Sequence, residues 1–98
     1  MALTIIWSKD AQISRRAIFN YWNNQNKSRV YSNKLNIQFN DAVGQLSLLK
    51  EIGKPTDFKN IRLKIVSHFE IIYDLSGSKI IILDIWDTRQ NPNNFPVQ

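Results

Sequence analysis

Ninety-eight residues, 43% of them hydrophobic, suffice for one domain spanning 1–98 around one apolar core and are too few for two. The lack of cysteine excludes disulfides and thiolate metal centres, and a single histidine, His68, is too little for zinc, so neither a metal nor another cofactor is expected. Thirteen Lys and Arg against eight Asp and Glu give a net charge of +5, which favours acidic or polyanionic partners, and no apolar run approaches the about 20 residues of a membrane span, so a cytoplasmic protein without membrane contact is expected.

Leu3-Thr-Ile-Ile-Trp7 is β-branched and aromatic and ends at Ser8-Lys-Asp10, the pattern of a short strand giving way to a capped helix. Along that helix Ala11, Ile18, Tyr21 and Trp22 share one face, with Ile13 and Ala17 beside them, while Gln12, Arg15, Arg16, Asn20 and Asn23 face away. The turn-forming run Asn23 to Ser28 interrupts it. A second helix carries one continuous apolar stripe, Tyr31, Leu35, Phe39, Ala42, Leu46 and Leu49, widened by Val43. Gly53 and Pro55 are expected to stop it, the glycine in a left-handed cap.

Thr56 to Lys59 reads as a loop. Beyond it Ile61, Leu63 and Ile65 alternate with Arg62 and Lys64, a half-buried strand, and Ser67-His68 makes a tight turn into Phe69-Glu-Ile-Ile-Tyr-Asp-Leu75. Ser76-Gly77-Ser78 forms a second turn, with Gly77 suited to positive φ, before Lys79 to Trp86, apolar enough for a central strand. The residues after Pro92, 93–98, read as a frayed tail. The whole predicts an α+β fold in the order β-α-α-β-β-β, with a helix hairpin packed on one face of a small, mainly antiparallel sheet.

Familiar catalytic constellations are missing. Three glycines in no phosphate-binding spacing exclude a P-loop, His68 sits at a turn, and Asp84 and Asp87 fall on opposite strand faces, a poor acid–base pair. What remains is basic: Lys59, Arg62, Lys64 and Arg89. Arg62 and Lys64 share a strand face, so they either converge on an anion or are solvated charges paired with Glu70 or Asp74 across the hairpin. A ribonuclease built from such cations would need no metal, since RNA supplies its own 2′-hydroxyl nucleophile. The three tryptophans, Trp7, Trp22 and Trp86, belong either to the core or to an apolar groove for a partner.

Ile6-Trp7-Ser8 with Ala11, the helix hairpin closing at Ile52-Gly53-Lys54, Ile61-Arg62, Ile72-Tyr73, and Ile82-Leu-Asp-Ile-Trp-Asp-Thr-Arg-Gln-Asn-Pro92 together resemble the RelE/ParE superfamily of bacterial toxins from type II toxin–antitoxin modules. The resemblance runs from about Ile5 to Pro92. It implies a toxin that arrests growth until a cognate antitoxin wraps it into a hetero-oligomer. Its target would be DNA gyrase, for ParE-like members, or mRNA on the ribosome, for RelE-like endonucleases; a degenerate member would bind only its partner.

In the RelE-like case Arg62, Lys64 and Arg89 are the candidate catalytic residues. Glu70 stands where the resemblance leads one to expect an arginine, and Phe95, not a tyrosine, follows Arg89. Those departures favour the ParE-like branch. Lys59, Arg62, Lys64 and Arg89 are then candidate target-binding residues, and Trp22, Ile80, Ile82 and Trp86 candidate antitoxin contacts.

Overall fold

Ser8 ends one element and starts the next, as its residue type suggests. In the computed structural model, which describes residues 3–89, strand β1 (Thr4–Trp7) runs straight into helix α1 (Lys9–Asn26), and Ser8 Oγ accepts from the Ala11 amide at 3.0 Å. The same hydroxyl donates to the Leu83 carbonyl at 2.8 Å, tying the cap to the far end of the chain. The expected tail, 93–98, and Phe95 within it, lie outside the described residues. Lys27, left-handed at φ 51, closes α1, and helix α2 (Val30–Leu48) returns antiparallel to it.

Four further strands complete a five-stranded sheet of order β1-β5-β4-β3-β2: β2 (Lys54–Pro55), β3 (Ile61–Val66), β4 (Phe69–Asp74) and β5 (Lys79–Asp87). Only β1 and β5 pair in parallel, so the sheet is mainly antiparallel, with the α+β architecture read from the sequence. The two-residue β2 was not foreseen. It lies at the sheet edge, where Pro55 does least harm to the ladder.

The core sits between the α2 stripe and one face of the sheet. Leu35, Phe39, Ala42, Val43 and Leu46 meet Phe69, Ile71 and Tyr73 of β4 and Ile80, Ile82 and Ile85 of β5. The Phe39 ring meets Phe69 edge-on at 5.5 Å and stacks at 6.0 Å on Phe19, a residue that the sequence reading passed over. The stripe ends sooner than expected: α2 stops at Leu48, and Leu49 is 60% exposed.

Gly53 has a different task from the expected left-handed cap, since no glycine among the described residues has positive φ. Its amide donates to the Tyr73 hydroxyl at 3.0 Å, and that hydroxyl donates to the Lys50 carbonyl at 2.8 Å. A Cβ at position 53 would lie 2.7 Å from Tyr73 Cε1 and 2.8 Å from the Leu63 carbonyl oxygen, so glycine is required by close approach. Positive φ falls instead to Lys27, Asn60 and Ser67, not to Gly77.

The β3–β4 hairpin corrects a second expectation. Ser67-His68 makes a two-residue turn, so Val66 pairs with Phe69, Lys64 with Ile71 and Arg62 with Tyr73. Both basic residues therefore lie on the helix side of the sheet, while Ile61, Leu63 and Ile65 share the opposite face with Asp74, Ile72 and Glu70. Neither Arg62 nor Lys64 faces Glu70 or Asp74 across the strands. Ile65 is left 55% exposed.

Two glycine substitutions should move stability in opposite directions. Gly44 lies inside α2 with nothing within 4 Å of an added Cβ, so Gly44→Ala should stabilise by about 0.5–1 kcal/mol through helix propensity. Gly53→Ala should destabilise by roughly 1–3 kcal/mol through overpacking against Tyr73. Urea unfolding midpoints of the two variants, rising for one and falling for the other, check the assignment.

Candidate functional site

Strand β1 pairs with β5 only from Lys79 to Ile82, and the rest of β5 runs beside α1. At that point the register slips at Ile72/Tyr73, leaving Leu83 without a partner row. Between α1 and the second half of β5 opens a groove of about 610 Å³, walled by Ile18, Tyr21 and Trp22 on the helix and by Asp84, Trp86 and Asp87 on the strand. Asp84 bends toward α1, its Oδ1 accepting from Ser14 Oγ at 2.5 Å and from the Ile85 amide at 2.8 Å.

Aromatic rings build the groove's lower wall. Trp22 meets Tyr21 edge-on at 5.1 Å and Tyr31 at 4.9 Å, and the Arg89 guanidinium lies 4.9 Å from the Trp22 ring centre. Arg89 is held there by Asp87, with Nη2 to Oδ2 at 2.9 Å and Nε to Oδ1 at 3.1 Å. Burial alone would raise the Asp87 carboxyl; the Arg89 side chain and amide, with Arg89's charge and that of His68, outweigh it and hold Asp87 below its ordinary value.

Arg62 and Lys64 share a face of β3, as expected, but the four basic residues named from the sequence do not gather at one point. Arg62 Nη1 donates to the Gly53 carbonyl at 2.7 Å and to that of Glu51 at 3.1 Å, so it fastens the segment after α2 to the sheet. Tyr73 joins the same tie; burial first, and Glu51 after it, raise its hydroxyl against the lowering effects of the Gly53 amide and Arg62, and it stays a neutral donor. Arg62 shares a row with Tyr73 and Ile82, whereas Asp87 shares one with Phe69 and Val66. Four residues along at about 3.3 Å each and two strands across at about 4.8 Å therefore separate Arg62 from the Arg89 end. Lys59 is exposed before β3, at the opposite end of the hairpin from Arg89.

Of the four candidate antitoxin contacts, Trp22 and Trp86 reach the groove. Ile80 and Ile82 do not: both are fully buried on the face of β5 that packs beneath the helices, and they belong to the core. Arg15 was placed on the solvent side of α1, yet it turns toward α2. Its guanidinium lies 4.7 Å from the Trp7 ring centre and 5.6 Å from that of Phe19, and Nη2 donates to Asn40 Oδ1 at 3.0 Å and to Asn36 Oδ1. The signal was available, because Arg15 stands four positions from both Ala11, which is buried, and Phe19, which is half-buried against the core.

With this geometry in place, residues 5–92 match the family described as ParE toxin of type II toxin–antitoxin system, parDE. The chain belongs to the ParE toxin family. Among solved structures it is similar to a chain from the chromosomal ParDE toxin–antitoxin system of P. aeruginosa, with a TM-score of 0.63 over 90% of this chain and 98% of that one. At 19% identity that likeness is one of fold. No curated protein matches by sequence. The protein is thus a type II toxin of the ParE kind, with a cognate antitoxin as partner. Among the described residues no helix is long and apolar enough to cross a membrane.

In this ParE toxin the Asp87–Arg89 pair sets a pH dependence. A carboxyl whose folded pKa is depressed stabilises the fold above its unfolded pKa and loses that contribution as pH falls through the folded value. Arg89 should therefore stay over Trp22 at neutral pH and leave it only below pH 3.8, the ordinary carboxyl value. Asp87→Asn should release it at neutral pH, and the NMR signals of Arg89 Nε–H and the Trp22 indole report both outcomes.

Proposed function

We propose that this ParE toxin poisons DNA gyrase and does not cut RNA. The carrying observation is how its cations are placed: Lys64 shares a face of β3 with Arg62, but Arg62 is engaged by two backbone carbonyls, Arg89 is held by Asp87 two strands away, and Lys59 lies at the far end of the hairpin. Stabilising the phosphorane of RNA cleavage needs several donors within hydrogen-bond reach of one phosphate, and these side chains sit in separate places. Spread charge suits a broad protein surface, with Lys59, Lys64 and Arg89 as its contacts and Arg62 as a positioning residue.

The same reading gives the antitoxin the groove between α1 and β5, with apolar side chains seated against Trp22 and Trp86. Trp22→Ala should weaken antitoxin binding by about 2 kcal/mol, roughly thirtyfold, and make growth arrest harder to rescue. An unaltered dissociation constant would remove Trp22 from that interface.

For the target, purified toxin should block DNA supercoiling by gyrase at concentrations that leave ribosome-bound mRNA intact in primer extension. Codon-spaced cuts that vanish in Arg89→Ala, with supercoiling untouched, would replace this reading with the endonuclease one.

A further inference from the structure

The α1 flank that faces α2 carries a second groove, of about 600 Å³, walled by Trp7, Phe19, Gln12, Arg15 and Arg16. Its floor is a partly buried guanidinium with neutral neighbours. Arg15 Nη2 is taken up by Asn36 and Asn40, while Nε and Nη1 make no hydrogen bond to the described residues. Among the described residues no buried side-chain nitrogen or oxygen lacks a partner, so those remaining donors are open to solvent on a residue that lines the groove. Among the described residues the ion pair is Arg89–Asp87, which leaves both Arg15 and the adjacent Arg16 without a carboxylate. Burial lowers the Arg15 pKa, and no acidic group opposes it.

Desolvating a charge without a counter-ion costs free energy that an incoming anion recovers. Two walls define that anion. The Trp7 and Phe19 rings hold the guanidinium in place, and with Nη2 taken up by the two asparagines the remaining Nε and Nη1 each offer a single charge-assisted bond to a carboxylate oxygen. The aromatic walls meanwhile favour apolar atoms beside the charge, which the side chains flanking an acidic residue of a peptide supply, and a cognate antitoxin is the peptide partner of this chain. We infer that the Trp7–Arg15–Phe19 groove seats an Asp or Glu of the cognate antitoxin, flanked by apolar residues, as a charge anchor separate from the Trp22–Trp86 groove. This rests on the reading that an antitoxin neutralises the chain by direct contact.

Calorimetric titration of the full-length toxin with its cognate antitoxin tests the anchor, with each antitoxin Asp and Glu changed singly to Asn or Gln. Arg15→Gln should weaken binding roughly a hundredfold, and one antitoxin carboxylate should lose a similar amount, with no further loss when the two changes are combined. Arg15→Lys, which keeps the charge and loses the planar guanidinium between the two rings, should recover part of the affinity. Gly44→Ala, in α2 outside the groove lining, should bind as wild type, and the circular dichroism spectrum and urea midpoint of Arg15→Gln separate anchoring from folding.

Wild-type affinity in folded Arg15→Gln, or no antitoxin carboxylate coupled to Arg15, overturns the anchor and leaves neutralisation standing. Absence of any complex with the wild-type toxin overturns both. An RNA oligonucleotide whose binding is lost in Arg15→Gln while antitoxin affinity is unchanged assigns the groove to nucleic acid and also overturns it.

Discussion

The pairing of Val66 with Phe69 across the Ser67-His68 turn fixes the parity of the hairpin, and much of the molecule follows from it. Side chains alternate along a strand, so a slip of one residue would carry Phe69, Ile71 and Tyr73 out of the core and put Glu70 and Asp74 beneath the helices. Such a slip would bury two carboxylates among Leu35, Phe39 and Leu46. The register is therefore set twice, by a turn of two residues and by the apolar stripe of α2. Ser67 at φ 56 bears the backbone cost of so tight a turn.

That parity also places Arg62 and Lys64 on the helix side of β3, toward the sheet edge. A charge in that position needs acceptors, and the segment after α2 supplies them as the carbonyls of Glu51 and Gly53. Tyr73, opposite Arg62, completes the tie through the Gly53 amide and the Lys50 carbonyl. A chain segment that lacks an apolar stripe of its own is thus held by two side chains from neighbouring strands, and Gly53 is glycine because the Tyr73 ring comes so near.

Long periodic features were legible in the sequence, and single-residue tasks were not. The α2 stripe, a cap at Ser8 or Asp10, the alternation along β4 and the order of elements each involve several residues that agree with one another, or a cap type with one physical use. The roles of Gly53 and Gly77 were misassigned because a glycine allows positive φ without requiring it. Ile80 and Ile82 looked available because an apolar run does not say which of its faces a helix covers. Parity was the avoidable error: once Ser67-His68 is taken as the turn, Arg62 must face Tyr73, and the charge pairing with Glu70 and Asp74 has no geometry. The groove itself was half visible, in Trp22, Trp86 and Arg89, but Asp87 as the clamp on Arg89 needs the end of β5 brought beside α1.

The placement of these features bears on how neutralisation would work. Both grooves flank α1, one toward β5 and one toward α2, whereas Lys59 stands beyond the start of β3 and Lys64 lies within that strand. An antitoxin seated along α1 has no need to reach Lys59 or Lys64. Arg89 alone among the proposed target contacts lies in the α1 groove, stacked on Trp22 and clamped by Asp87. On the proposed assignment, covering Trp22 would also cover Arg89, and that shared residue would let an antitoxin block the target surface while burying only one end of it. The clamp matters for the same reason: Asp87 keeps Arg89 folded back on the groove instead of extended into solvent, where its ordering on binding would cost conformational entropy.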